Sequence, residues 1–170
     1  MRAILERFCA TVDRANLAVG GFFGASIILV TAMVMYEIVA RSAFNLPTIW
    51  SNESVIYLSA VTYLLSGGYT LLRRGHVRID VLYGALSPRG RVRLDVLTFV
   101  FFLMYAGTLV VVGGQMAWDS FLQGETTGSP WNPPIWPVKA AIMVAGVLVL
   151  LQGLVGLLRE LGFVQSHEPP

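Results

Sequence analysis

The sequence has few residues of the types that build catalytic and redox sites. Its 170 residues include one cysteine, Cys9, and two histidines, His76 and His167. A single cysteine cannot form an internal disulfide bond. Neither histidine lies in a long apolar segment, which excludes paired haem ligands or a serine–histidine dyad within a membrane. No cluster of histidine, cysteine and carboxylates has metal-ligand spacing, so we expect no cofactor, no metal and no enzymatic activity.

Charge is also scarce, at 13% of the residues, and the formal net charge of +2 is too small to favour a nucleic-acid partner. Four stretches of 19 to 24 residues together contain one charged residue, Glu37. Because about 20 apolar residues cross the roughly 30 Å hydrocarbon core of a bilayer, each stretch is long enough to span it. The sequence therefore predicts an all-α membrane protein with four transmembrane helices, at about 17–40, 54–72, 88–118 and 137–158.

The positive residues are unevenly distributed between the two sides of these helices. Two of the twelve, Arg41 and Lys139, fall on one side, and the other ten fall on the opposite side. By the positive-inside rule both termini are cytoplasmic. Aromatic side chains that prefer the interface agree, because all four tryptophans then lie at the outer surface. We expect the outer-interface anchors to be Trp118, Trp131, Trp136 and Lys139.

Two segments outside the spans have amphipathic patterns. Residues 1–16 predict an interfacial helix that leads into the first span, and residues 77–86 predict a short helix on the inner surface. Ser87 and Pro88 resemble an N-cap and first helical position. Residues 1–162 then form one domain, and 163–170 a disordered tail. Candidate contacts to anionic lipid at the inner surface are Arg73, Arg74, His76, Arg78 and Asp80.

Ionisable residues near the membrane all fall at helix ends. Glu37 precedes Arg41 by four residues, which predicts an interfacial ion pair. Glu53 opens the second helix, where a carboxylate complements the helix dipole and could also contact a partner helix. Lys139 is interpreted as a snorkelling residue. None lies in mid-membrane, where an ion relay would require it.

Glycines recur at spacings that allow close helix packing. They serve either packing within this chain or contact with another subunit, and the sequence does not decide between the two. The recurring pairs are Gly20 with Gly24, Gly107 with Gly114, and Gly146 with Gly153.

Three segments carry a resemblance to a known family: Trp50-Ser51-Asn52-Glu53, Arg74-Gly75-His76-Val77-Arg78-Ile79-Asp80, and Pro134-Ile135-Trp136-Pro137-Val138-Lys139. Together they resemble the small permease subunit of tripartite ATP-independent periplasmic (TRAP) transporters, the DctQ-like family. The resemblance implies a sodium-driven importer of organic acids in the bacterial inner membrane. Its partners would be a large DctM-like permease subunit, which carries the substrate site, and a periplasmic DctP-like binding protein. The small subunit would brace the large one.

Candidate contacts with the large subunit are Trp50, Glu53, Gly20, Gly24, Gly146 and Gly153. Two alternatives stay open. A free-standing small multidrug-type exporter also has four helices and a glutamate in its first helix, but that glutamate would lie deep in the membrane. The second alternative is a membrane enzyme, and the scarcity of histidine weakens this interpretation.

Overall fold

The computed structural model describes residues 2–73 and 88–160, and nearly all of them are helical. Four helices run in chain order: α1 is Arg2–Phe44, α2 is Ser51–Leu72, α3 is Pro88–Leu122 and α4 is Trp136–Glu160. Each is long and apolar enough to span a membrane. The predicted all-α fold with four spanning helices is therefore confirmed. The predicted inner-surface helix at 77–86 and the tail at 163–170 lie outside the described residues.

Helix α1 differs from the prediction at its start. It has 43 residues and runs without interruption from Arg2, so the segment before Leu17 continues the spanning helix and is not a separate one. The physical reason is packing, because Cys9 and Val12 are buried in a cluster with Val155 of α4. The last helix therefore covers Cys9 and Val12 of the apolar stripe, while Ile4 and Phe8 stay exposed.

The two described connections have the backbone geometry of tight turns. After α1, Asn45 adopts a left-handed conformation, with φ of 54°, and the Leu46 amide donates to the Ala40 carbonyl at 3.0 Å. Asparagine is one of the few non-glycine residues that enter this region routinely. Between α3 and α4, Gly124 and Gly128 also have positive φ, and an isolated bridge joins Thr126 to Pro134. The 123–135 connection is thus a structured turn, as its turn-forming residues predict.

The helices pack in an open row. Helix α1 packs on α2, α2 on α4, and α4 on α3, while α1 also contacts α4 more weakly. The two inner helices of the row are the better covered: 22% and 28% of their most apolar windows are buried, against 6% and 11% for α1 and α3. Most of the apolar surface of the edge helices therefore faces the membrane or a partner.

The row has two ends that differ in composition. We call one the tryptophan end; it comprises residues 45–50, residues 123–135 and the helix termini that they join. We call the other the terminal end; it comprises the starts of α1 and α3 and the last turns of α2 and α4.

Candidate functional site

All four tryptophans lie at the tryptophan end, and three of them make aromatic contacts there. Trp50 stacks on Tyr36 with ring centroids 6.2 Å apart. Trp118 and Trp136 both contact the Phe121 ring, with centroids 6.2 and 5.6 Å away. Trp131 is in the connecting turn and is exposed. An aromatic belt of this kind is typical of the membrane–water interface.

The predicted ion pair in α1 is confirmed, with Arg41 Nη2 2.6 Å from Glu37 Oε1. The same carboxylate does more than the spacing predicts. Its second oxygen accepts hydrogen bonds from the hydroxyl of Thr48 and from the Thr48 amide, the latter at 3.3 Å. Glu37 therefore ties the α1–α2 connection back onto α1, and the sequence gives no signal for Thr48 because it comes eleven residues later.

Glu53 joins α2 to the long turn. Its Oε2 accepts a hydrogen bond from the Thr127 hydroxyl at 3.2 Å, and Thr127 lies 3.0 Å from the Ser129 hydroxyl. Within the turn, the side-chain oxygen of Asn132 accepts a hydrogen bond from the Gly128 backbone N–H. The backbone N–H of Asn132 donates to the Ser129 hydroxyl. The carboxylate at the start of α2 thus has a structural partner in this chain; a contact with another subunit stays a prediction.

Lys139 has a partner that the sequence prediction missed. Its ammonium forms an ion pair with Glu125, and the lysine side chain is 21% exposed. The turn folds back and brings a carboxylate to the lysine, while the snorkelling and anchoring role of Lys139 stays a prediction. The hydrogen bond from Lys139 holds the pKa of Glu125 below its ordinary value.

A second polar cluster lies at the terminal end, and the sequence prediction missed it entirely. We call it the polar clamp; it consists of Asp13 and Asn16 of α1 with Gln152 and Arg159 of α4. Asp13 pairs with Arg159 and accepts from Gln152 at 3.1 Å, while Asn16 donates to Gln152 at 2.8 Å. Asn16 and Gln152 are buried. The sequence feature that could have predicted the clamp is the presence of two amide side chains, Asn16 and Gln152, beside or inside apolar stretches, where polar groups need partners.

Helix α2 reaches the clamp through Gly68. A Cβ atom at this position would collide with the side-chain oxygen of Asn16 and would approach Leu148 to 3.3 Å. Glycine is required because the backbone of α2 lies directly against the asparagine. Three helices therefore meet at one point near the terminal end.

Side chains of this chain already pack against three of the four glycines proposed for a partner surface. A Cβ at Gly20 would collide with Tyr69, one at Gly153 with Phe102, and one at Gly146 would lie 2.9 Å from Leu109. For these three the structure supports the alternative of internal packing. Gly24 has nothing within 4 Å among the described residues, so its role at a partner surface stays a prediction.

The inner-surface lipid candidates are only partly described. Arg73 follows α2, is exposed, and places its guanidinium over the Tyr69 ring at 5.6 Å from the centroid. The other four, Arg74, His76, Arg78 and Asp80, lie outside the described residues. Within 2–73 and 88–160 no group of three or more His, Cys, Asp or Glu is placed to hold a metal.

The fold defines a polytopic membrane protein in which four helices form an open row and the polar contacts at the two ends hold the helices and turns together. Residues 30–162 match the family model of the tripartite ATP-independent periplasmic transporters, DctQ component, and the chain belongs to this family. The search of curated proteins finds no match. Membership makes the chain one component of a tripartite transport system, which implies partners in a large permease subunit and a binding protein.

Proposed function

We propose that this chain is the small membrane subunit of a sodium-driven, binding-protein-dependent importer of organic acids, and that it acts as a scaffold for the large transport subunit. The single observation that carries the proposal is the family match over residues 30–162. It supports a subunit role, since the family is one component of a three-part system.

The state of the charged side chains supports the scaffold role. Glu37 is engaged by Arg41 and Thr48, Lys139 by Glu125, and Asp13 by Arg159. These contacts lie at the ends of the helix row. A solute or ion site in the membrane would instead require ionisable groups facing a cavity or the interior at depth. The large subunit is therefore the proposed carrier of substrate and sodium.

The open arrangement of the helices supports the need for a partner. Within the most apolar windows of α1 and α3 only 6% and 11% of the residues are buried by this chain. A scaffold subunit needs such uncovered faces, because it acts by packing against a larger membrane protein.

We also propose that the tryptophan end faces the periplasm and the terminal end the cytoplasm of the inner membrane. Ten of the twelve positive residues fall in residues 2–14 at the start of α1, between the end of α2 and the span of α3, or at the end of α4. Each Lys or Arg near an anionic surface contributes about 1 kcal/mol, so Arg73, Arg74 and Arg78 are proposed to bind anionic lipid headgroups.

A labelling experiment tests the orientation. In a Cys9→Ser background, Ser87→Cys and Ser129→Cys are each treated with a membrane-impermeant thiol reagent on intact spheroplasts. Labelling at position 129 alone is expected. Labelling of both positions from the same side would contradict the topology.

A reconstitution experiment tests the transport role. The chain is purified alone and together with a large permease subunit of the same system, and each preparation is placed in proteoliposomes with an inward sodium gradient, with and without the binding protein. Uptake of an organic acid is expected only when this chain, the large subunit and the binding protein are all present. Sodium-driven uptake by this chain alone, lost in Glu37→Gln, would favour an independent transporter.

A further inference from the structure

The outward face of α2 is largely polar, with Ile56 as its one apolar exposed residue. The four exposed residues of this helix are Asn52, Ile56, Tyr63 and Thr70. Two half-buried serines, Ser59 and Ser66, fall between them in the same spacing of three, four or seven residues. At about 100° per residue all six lie within roughly 80° of the helix circumference. We call these six residues the α2 stripe: Asn52, Ile56, Ser59, Tyr63, Ser66 and Thr70.

Contacts within the chain do not explain this polarity. The sides of α2 that face other helices are marked by Gly20 against Tyr69 and by Gly67 and Gly68 against Val149 and Asn16. The α2 stripe lies between those sides and faces away from the protein. Among the four spans α2 also has the lowest mean hydropathy, 1.4 against 2.0 to 2.5 for the others.

Position at a membrane interface does not explain it either. The stripe from Asn52 to Thr70 is about 27 Å long at roughly 1.5 Å per residue, which is close to the full hydrocarbon thickness. Tyr63 lies about 16 Å along the helix axis from Asn52, near mid-membrane, and is 77% exposed. Tyrosine normally sits at the headgroup level, where its hydroxyl meets water.

Acyl chains cannot satisfy these side chains. Ser66 and Thr70 donate their hydroxyl protons to the carbonyls of Tyr63 and Ser66, which leaves their oxygens free to accept. No hydrogen bond to the Tyr63 hydroxyl occurs among the described residues. Small hydroxyl residues are enriched at helix–helix contacts in membranes, where backbones approach closely and side chains bond across the contact.

The other exposed faces of the row have a different composition. Most exposed residues in the spanning parts of α1 and α3 are apolar, such as Phe22, Ile28 and Met35 of α1 and Phe101 and Met104 of α3, although Thr31, Tyr105 and Thr108 are exposed as well. Such faces suit lipid. The contrast distinguishes the α2 stripe from the general apolar exposure of the molecule.

Charge at the terminal end adds a requirement for the partner. Arg73 follows the stripe, is exposed, and has no carboxylate partner among the described residues. A complementary helix would place an acidic group or a helix C-terminus level with this guanidinium.

We propose that the α2 stripe is the docking surface for one transmembrane helix of the large permease subunit, which hydrogen-bonds along the stripe and presents an acceptor to Arg73. This inference rests on the proposed function, which supplies the partner, and names the face that the partner covers. Tyr63 is the central anchor, since exposed tyrosines near the centre of a contact often dominate binding.

Photocrosslinking tests the contact directly. The photoreactive residue p-benzoylphenylalanine replaces Tyr63 in one preparation and Tyr105 of α3 in the matched control, and both chains are co-expressed with the large subunit. Tyr105 is a suitable control because it is also a mid-helix tyrosine, 62% exposed. A covalent adduct with the large subunit is expected from position 63 and not from position 105. An adduct of two copies of this chain, adducts with lipid only, or a stronger large-subunit adduct from position 105 would each overturn the proposal.

Substitution tests its contribution to assembly. Tyr63→Ala, and Ser59→Leu with Ser66→Leu, are expected to reduce recovery of the large subunit on affinity purification by about tenfold. Tyr105→Ala and Thr108→Leu are the matched controls, because Thr108 likewise donates to its preceding turn. The chain purified alone should keep its wild-type melting temperature in every variant. Unchanged recovery in the α2 variants would refute the docking surface.

The two proposals fail in different ways. If the wild-type chain recovers no large subunit, the proposed function fails, and the docking proposal fails with it. If the wild type recovers the large subunit and the α2 variants do so equally well, only the docking proposal fails.

Discussion

The two ends of the helix row hold their charged side chains in different environments. At the tryptophan end, the Glu37 and Lys139 pairs have exposed partners: Arg41 is 64% and Glu125 is 41% exposed. At the terminal end, Asp13 and Arg159 are 15% and 17% exposed and share a buried network with two amides. Ion pairs with exposed members contribute little, whereas a covered pair is costly to break because it leaves an unpaired charge.

This difference indicates separate tasks for the two ends. The tryptophan end holds its two turns onto the helices that they join, through Thr48 and Glu125. The polar clamp joins α1 to α4, which are far apart in the chain, and with Gly68 of α2 it ties three helices of the row together at the terminal end. Stability should therefore depend more on the clamp than on the tryptophan end.

Removing one member of the clamp should have the largest effect. Asp13→Ala leaves Arg159 covered and unpaired, and we expect a loss of about 3 kcal/mol, at the lower limit for a buried pair because both side chains keep some exposure. Thermal melting of the purified chain in detergent measures it. Asp13→Ala combined with Arg159→Met should recover most of the loss. Equal melting temperatures for wild type and Asp13→Ala would contradict the role of the clamp.

Disturbing the clamp from α2 should have the next largest effect. Gly68→Ala places a methyl group against the Asn16 oxygen, and overpacking of this kind costs about 1–3 kcal/mol. Gly156→Ala is the matched control, because nothing lies within 4 Å of that position among the described residues. Melting curves of the two variants should separate clearly; similar curves would mean that α2 does not press on the asparagine.

Breaking the Glu37 contacts should have a smaller effect. Glu37→Gln removes the ion pair with exposed Arg41 but keeps an oxygen that can accept from Thr48. We expect less than half of the fall in melting temperature measured for Asp13→Ala. A fall as large as that of Asp13→Ala would remove the distinction between the two ends.

The smallest effect should be a dependence on acid pH at the tryptophan end. The pKa of Glu125 is lowered in the folded chain by the hydrogen bond from Lys139, so the carboxylate stabilises the fold above its ordinary pKa of 4.5. That contribution is lost as the pH falls through the lowered pKa. The melting temperature of Lys139→Met should therefore fall less as the pH is lowered than the melting temperature of the wild type does. Parallel pH profiles for the two proteins would show that the pair does not couple to folding.

Several features were predictable because they depend on local composition. The four spans follow from long runs without charge, since a bilayer admits only segments that satisfy their own backbone. The Glu37–Arg41 pair follows from a spacing of one helical turn. The turn at 123–135 follows from its glycines and prolines, and both glycines, Gly124 and Gly128, adopt positive φ. The α2 stripe was equally visible as a repeat of polar residues, but only exposure in the fold distinguishes it from an internal polar seam.

The sequence by itself determined that this protein is an all-α membrane protein with four spans, a tryptophan-rich end and a pair of facing charges in α1. Only the tertiary structure decided that residues 2–16 continue α1, that Asp13 and Asn16 meet Gln152 and Arg159, and that side chains of this chain pack against Gly20, Gly146 and Gly153. The physical reason is the separation along the chain over which each interaction acts. Backbone satisfaction and helical spacing act within a few residues, whereas the clamp joins positions more than 130 residues apart, and only the order of helices in the row brings them together.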